Sequence, residues 1–238
     1  MSGMGVCMTN LIIGLTMLFS FSNVLSDNDP YMAQRQQMVA TQIERREVGD
    51  KATLNAMRSV KRHLFVREGL IRHAYDDRPL PIGYGQTISQ PYIVAYMTEL
   101  IHPKPHHRVL EIGSGSGYQA AVLAGIVEKV YTIEIIPQLG NSAKNRLKKL
   151  GCTNVEVKVA DGYFGWKEHA PFDAIIVTAA SEYIPPPLIE QLKDGGRMVI
   201  PVGSPFMVQM LMLVEKKGGE ITTTGLMPVR FVPFRRSN

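Results

Sequence analysis

Residues Val109 to Ala124 read Val-Leu-Glu-Ile-Gly-Ser-Gly-Ser-Gly-Tyr-Gln-Ala-Ala-Val-Leu-Ala, an apolar strand running into three glycines at alternate positions and then a helix. Gly113, Gly115 and Gly117 let the chain turn where a side chain would block a ligand, and the helix that follows presents unpaired N–H groups to it. Such a turn is a site for a nucleotide-type cofactor. Glycine recurs at every second position, without the two-residue gap before the last glycine that dinucleotide-binding turns carry. A nucleoside lacking phosphates therefore fits better than a pyrophosphate.

Two carboxylates downstream sharpen this reading. Lys129 to Glu134 reads as the next strand, and Glu134 falls about as far past the glycines as ribose-binding carboxylates do in such folds. Asn154 to Val159 reads as a third strand, closed by Asp161-Gly162, where a carboxylate can accept a bond from an adenine amino group. Either carboxylate alone is equally well a solvated strand end. The glycine turn and both carboxylates at successive strand ends make chance a poor explanation.

With these residues in view, the chain resembles a class I S-adenosylmethionine-dependent methyltransferase. Three blocks narrow the resemblance: Asp77-Arg-Pro-Leu-Pro-Ile-Gly-Tyr-Gly-Gln-Thr-Ile-Ser-Gln-Pro91, the glycine turn, and Phe172-Asp-Ala-Ile-Ile-Val-Thr-Ala-Ala180. In this order they resemble the protein-L-isoaspartate O-methyltransferase family, from about Gln34 to Phe234. The resemblance implies a Rossmann-like α/β fold: a doubly wound, mostly parallel sheet with helices on both faces, an N-terminal helical element and antiparallel edge strands. It implies S-adenosylmethionine as donor, bordered by Glu111, Gly113, Ser114, Gly115, Gly117, Glu134, Asp161 and Gly162. It implies isoaspartyl peptides and proteins as acceptors, with Thr87, Ile88, Thr178, Val229 and Arg230 on the substrate side. Ser89 matches the serine that the family's Thr-Ile-Ser element places beside the donor methyl, where it binds the acceptor carboxylate. Read without the resemblance, Ser89 is a helix N-cap or its neighbour.

Strand and helix alternate across the rest of the chain. Arg108–Ile112, Val130–Glu134, Val155–Val159, Ala174–Thr178, Arg197–Val202 and Gln209–Val214 read as strands. Helices are expected near Gly117–Gly125, Pro137–Leu150 and Pro185–Leu192, and from Pro91 to about Leu100. Such alternation predicts a parallel sheet covered on both faces. Met207 to Val232, with a turn at Lys217-Gly218-Gly219, predicts an antiparallel edge pair. Upstream, Asp29-Pro30 predicts the cap and first turn of a helix running to about Arg46, and Asp50 opens a second. Prolines and glycines between Asp76 and Gln90 predict an ordered loop without regular structure.

Composition excludes several other classes. At 45% hydrophobic and 20% charged residues, the 238-residue chain is an ordinary globular one, long enough for a full sheet core. The net charge of +5 comes from scattered basic pairs such as Arg45-Arg46 and Lys148-Lys149, which read as a solvated face and predict no nucleic-acid partner. Cys7 and Cys152 offer no disulfide framework within the folded part. His102, His106 and His107 lack metal-ligand spacing and read as surface loop residues, so no metal is expected. A monomer is the simplest assembly.

Residues 1–26 contain no Asp, Glu, Lys or Arg and are apolar from Leu11 to Leu25. They stand apart from residues 27–238, which read as a single methyltransferase domain. The apolar length suits a secretory signal peptide, whereas the missing basic start argues against one. Donor supply and the resemblance predict a cytoplasmic protein; a periplasmic or membrane-tethered one, or a spurious extension, stays open. A small-molecule or nucleic-acid methyltransferase on the same fold is a further alternative, opposed by the Gly83–Pro91 loop and by Val177-Thr-Ala-Ala180 in place of an amino-methylating motif. A binding module without catalysis is opposed by the intact Ser89. A dehydrogenase is opposed by the glycine spacing.

Overall fold

The computed structural model describes residues 29–204 and 207–237; the apolar leader 1–26 and Cys7 lie outside the described residues. Strands β3 (Arg108–Ile112), β4 (Lys129–Glu134), β5 (Val155–Val159), β6 (Phe172–Val177), β7 (Leu192–Val202), β8 (Gln209–Lys217) and β9 (Glu220–Val229) form one sheet in the order β5-β4-β3-β6-β7-β8-β9. The five strands from β5 to β7 run parallel, and β8 and β9 add antiparallel at one edge. Helices α3 (Pro91–Leu100), α4 (Tyr118–Ala124), α5 (Pro137–Lys149) and α6 (Pro186–Gln191) connect and cover the strands.

Alternation along each strand builds a core on both faces. Val109, Val130, Ala174 and Ile176 pack into one apolar cluster, with Leu123 of α4 and Met97 of α3. Leu110, Ile112, Tyr131, Ile133, Ile175 and Val177 pack into the other, with Trp166 and Leu188. Residue 111 stands between Leu110 and Ile112 and so shares the face of Val109. An ionisable side chain, Glu111, occupies that core position, paired across the strands with Thr132.

Several elements differ from the sequence expectation. The loop Asp76–Gln90 contains a two-stranded antiparallel pair, β1 (Leu80–Gly83) and β2 (Gln86–Ile88), joined through Tyr84 and Gly85 at positive φ. Leu80 and Ile88 face each other and are buried, which supplies the apolar anchor, and a lone two-stranded pair tolerates Pro81. The first helix, α1 (Met32–Met38), starts at Tyr31 without a side-chain cap, not at Asp29-Pro30. Contact of the Tyr31 ring with the His63 ring, centroids 4.4 Å apart and planes tilted by 36°, anchors this end by tertiary contact instead. The helical path continues to Arg46 through a π turn and a 3-10 turn. Strand β7 begins five residues earlier than the pattern suggests, because Leu192 leaves α6 directly in an extended conformation.

Helix α2 (Lys51–Ser59) begins as expected at Asp50, whose Oδ2 accepts from the Thr53 N–H at 2.8 Å and the Thr53 hydroxyl at 2.6 Å. Asp50→Ala should lower stability by about 1 kcal/mol, since one helix-end donor loses its partner. Urea denaturation reads this directly, and an unchanged midpoint would show that the cap contributes nothing.

Candidate active site

The strand order reverses at β3: β4 and β5 continue to one side, whereas β6 and β7 lie on the other. A reversal of this kind opens a crevice beyond the carboxyl ends of the strands. Three adjoining hollows line it. The first, about 540 Å³, is bordered by Ile112, Gly113, Gly115, Glu134, Ile136, Gly162, Thr178 and the C-terminal residues Val232–Arg235. The second, about 420 Å³, holds Ile88, Ser89, Glu111, Ser114 and Gln119. The third, about 1070 Å³, is a groove between Thr87, Ser89 and Gln90 on one side and Val208 and Met227–Val232 on the other. Thr87 and Thr178 border all three, and Ser89 borders the second and third.

The glycine turn owes its shape to backbone bonds. The N–H groups of Gly113 and Ser114 both donate to the Ile133 carbonyl, at 2.8 and 3.2 Å. The Thr178 hydroxyl reaches the carbonyls of Ile112 at 3.0 Å and Gly113 at 2.8 Å. Gly113 has φ near 99°, and a Cβ there would collide with the Thr178 hydroxyl, so only glycine fits. Gly117, at the start of α4, does not reach the hollows. A Cβ on it would meet Leu147 and Ala143 of α5 at 3.3–3.5 Å, so this third glycine serves close helix packing.

Three carboxylates end up in different states. Glu134, 5% exposed, accepts one N–H on each oxygen: Gly115 at 2.8 Å and Ile136 at 3.0 Å. Each oxygen keeps acceptor capacity toward the first hollow. Glu111 is fully buried, and neither oxygen has a hydrogen-bond partner among the described residues. Burial pushes its carboxyl up to about 8, and the Glu134 charge adds to the rise. Asp161 is not among the residues that border these three hollows, whereas its neighbour Gly162 borders the first. Its Oδ1 accepts from the Tyr163 N–H, and its Oδ2 takes Arg236 Nε at 2.9 Å and the Ser237 N–H and hydroxyl at 3.1 Å. Burial alone would raise its pKa, but these bonds hold it below the usual carboxylate range.

The acceptor-side residues also separate. Ile88 is buried in the core at the wall of the second hollow, whereas Thr87 is exposed and Ser89 half-buried. Val229 ends β9 along the groove, and Arg230 beside it is exposed. Ser89 is not the cap of α3; that position is Gln90, which makes no side-chain cap bond.

The family model described as protein-L-isoaspartate(D-aspartate) O-methyltransferase matches residues 33–238. The chain belongs to this family. A relative from Polaromonas sp., named protein-L-isoaspartate O-methyltransferase 2, is 61% identical over 78% of this chain and 88% of its own length. One from Opitutus terrae, named protein-L-isoaspartate O-methyltransferase, is 58% identical over 85% and 87%. Among solved structures, a protein-L-isoaspartate O-methyltransferase superposes with a TM-score of 0.77 at 28% identity, covering 84% of this chain and 65% of that one. A protein from Plasmodium falciparum, titled a putative protein-L-isoaspartate O-methyltransferase in complex with S-adenosyl-L-homocysteine, gives 0.75 at 28% identity, over 85% and 99%.

Motif reading missed part of this family member's site. Phe234 and Arg235 border the first hollow because a parallel bridge between Ala180 and Pro233 draws the C-terminal segment over the sheet edge. Arg46 and Val208 border the groove although they stand far from any motif. The Arg46 guanidinium lies 3.4 Å from the centre of the Tyr92 ring and pairs with Asp77 at 2.9 Å. Among the described residues no cluster suited to a metal ion occurs, and no helix is long and apolar enough to cross a membrane.

The Glu111 carboxyl ionises near 4.5 when solvated and near 8 when folded. Between those values only the unfolded chain releases the proton, so the donor-free protein should lose stability as pH rises from about 4.5 to about 8. Glu111→Gln removes this slope. Its advantage in melting temperature over the unaltered protein should grow between pH 5 and pH 8; a constant difference would mean that Glu111 is already ionised in the fold.

Proposed function

We propose that this chain carries out the reaction for which its family is named, methylating the free α-carboxylate of isoaspartyl residues with S-adenosylmethionine and so starting their return to aspartyl linkage. The observation that carries this reading is the place of Ser89. Its residue borders both the hollow that holds Glu111 and the long groove edged by β9.

The residues fit the donor. The buried Glu111 carboxylate, without a hydrogen-bond partner among the described residues, suits the α-ammonium of a methionine moiety, and the free acceptor capacity of Glu134 suits a ribose diol. Ile133, Ile135 and Ile136 with Gly162 offer the apolar wall that a purine needs. When bound, S-adenosylmethionine supplies an electrophilic methyl group on a cationic sulfur. The acceptor needs no general base, because an α-carboxyl with a pKa of about 3.5 is already ionised at neutral pH.

The chain therefore has three tasks: to strip water from an anion, to orient it, and to exclude competing nucleophiles. The Ser89 hydroxyl donates to the carboxylate oxygen that does not react, which leaves the other free to attack. Thr87 and Thr178 narrow the passage between the hollows. The groove accepts an extended peptide along its β9 side, where Val229 and Arg230 stand, so backbone is read more than side chains. The reading is completed by a monomer acting without nucleic acid, since the basic pairs are scattered along the chain and form no run.

Paired peptides differing only in aspartyl or isoaspartyl linkage test the activity with labelled S-adenosylmethionine. Label should enter the isoaspartyl member alone, and equal labelling would reject the substrate assignment. Ser89→Ala should leave donor affinity nearly unchanged and reduce kcat/KM by roughly ten- to a hundredfold, about 1.5–3 kcal/mol of transition-state stabilisation. Normal turnover with a lowered melting temperature would make Ser89 a structural residue.

The methyltransferase domain, residues 27–238, is assigned to the cytoplasm, where its donor is made. Mass spectrometry of the native protein reads the fate of residues 1–26. A mature chain beginning near Asp27 in the periplasmic fraction would overturn the cytoplasmic assignment.

A further inference from the structure

Arg62 is among the largest fully buried side chains of the described residues; it bonds to no carboxylate among them, and Asp77 acts on it only through space. Its guanidinium lies 4.8 Å from the centre of the Tyr118 ring. Nε donates to the Ala74 carbonyl at 2.7 Å, and Nη2 donates to the Ser89 carbonyl at 2.8 Å. Nη1 has no acceptor among the described residues. A buried cation without a counter-ion costs free energy, and an apolar side chain of similar volume would pack here without that cost. Its two bonds explain what the charge accomplishes. Ala74 and Ser89 are the two ends of one segment, and that segment contains the β1–β2 pair, with Gln86 bordering the first hollow and Thr87 all three.

We propose that Arg62 is a positioning residue for the reaction: one guanidinium clamps both ends of the Ala74–Ser89 segment and, through the Ser89 carbonyl, sets the direction of the Ser89 hydroxyl. The inference rests on the acceptor-binding role of Ser89. The peptide unit after Ser89 is planar, so holding its carbonyl restricts the Ser89 backbone and with it the Cα–Cβ bond. Pro91 begins α3 two residues on and fixes the chain from the other side. Arginine suits this clamp because its planar fork presents several donors at fixed angles, whereas the lysine ammonium is a compact group that cannot span both carbonyls in the same geometry. Neither Glu111 nor Glu134 bonds to Arg62, whose two bonds go to the segment that carries Thr87 and Ser89. Loss of the clamp should therefore act on the acceptor side.

A double-mutant cycle tests this, using Arg62→Met, Arg62→Lys, Ser89→Ala and the two combinations in the full-length protein. Donor dissociation constants and kcat and KM for an isoaspartyl peptide are measured on the soluble, folded fraction. Arg62→Met should lower kcat/KM by about tenfold or more with donor affinity changed less than about twofold, and Arg62→Lys should recover part of the loss. In the Ser89→Ala background the same change should cost less than about threefold, because there is no hydroxyl left to orient. Multiplicative losses in the double variant would overturn the proposal and leave Arg62 a merely structural residue. Should Arg62→Met not fold, the cycle with Arg62→Lys decides between the same two outcomes. If Ser89→Ala alone leaves turnover intact, the reading of Ser89 fails and the clamp loses its object. If Ser89→Ala impairs turnover but the cycle is multiplicative, only the clamp fails.

Discussion

The reversal of strand order beside β3 is the constraint on which the rest of the site depends. A parallel sheet wound outward from β3 in one direction and then in the other leaves no helix crossing over that point, so the strand ends there stay open. The glycine turn after β3, Glu134 at the end of β4 and Thr178 after β6 are thereby brought to one crevice. They stay in place because backbone groups hold them. The Ile133 carbonyl receives two N–H groups of the glycine turn, and the Glu134 carboxylate receives the Gly115 and Ile136 N–H groups. A loop that would otherwise carry unsatisfied donors becomes a rigid floor for a ligand.

Buried ionisable groups are distributed about this floor in a way that packing alone would not produce. Glu111 occupies a position that strand alternation assigns to the core, and it has no partner there among the described residues. Arg62 sits in the interior, bonded to the carbonyls of Ala74 and Ser89 and lying against the Tyr118 ring. Burial opposes the charged form of each. Glu111 itself borders the second hollow, and Arg62 bonds to the carbonyl of Ser89, which borders it too.

The C-terminal segment completes the enclosure. Its bridge to Ala180 and the bonds from Arg236 and Ser237 to Asp161 hold Phe234 and Arg235 against the first hollow. Asp161, placed by its strand-end position among carboxylates that would face a ligand, is instead satisfied by chain that lies 75 residues further on.

Local pattern was enough to determine the sheet and the identity of the site's motifs. Apolar runs of strand length, glycines at alternate positions and Pro91 at a helix start act within a few residues of themselves, so the strands β3 to β6 and the helices between them were legible directly, as was the membership that the Gly-Gln-Thr-Ile-Ser-Gln-Pro element announces. What required the tertiary structure were relations across long sequence distance. The β1–β2 pair forms among prolines and glycines because Leu80 and Ile88 find a common apolar surface, which no local propensity encodes. Gly117 packs against α5 and borders none of the three hollows, Glu111 has no hydrogen-bond partner among the described residues, and Arg62 bonds to a carbonyl 27 residues away. Each of these depends on which surfaces meet once the sheet has closed, and burial and hydrogen-bond satisfaction are properties of that meeting, not of the residue.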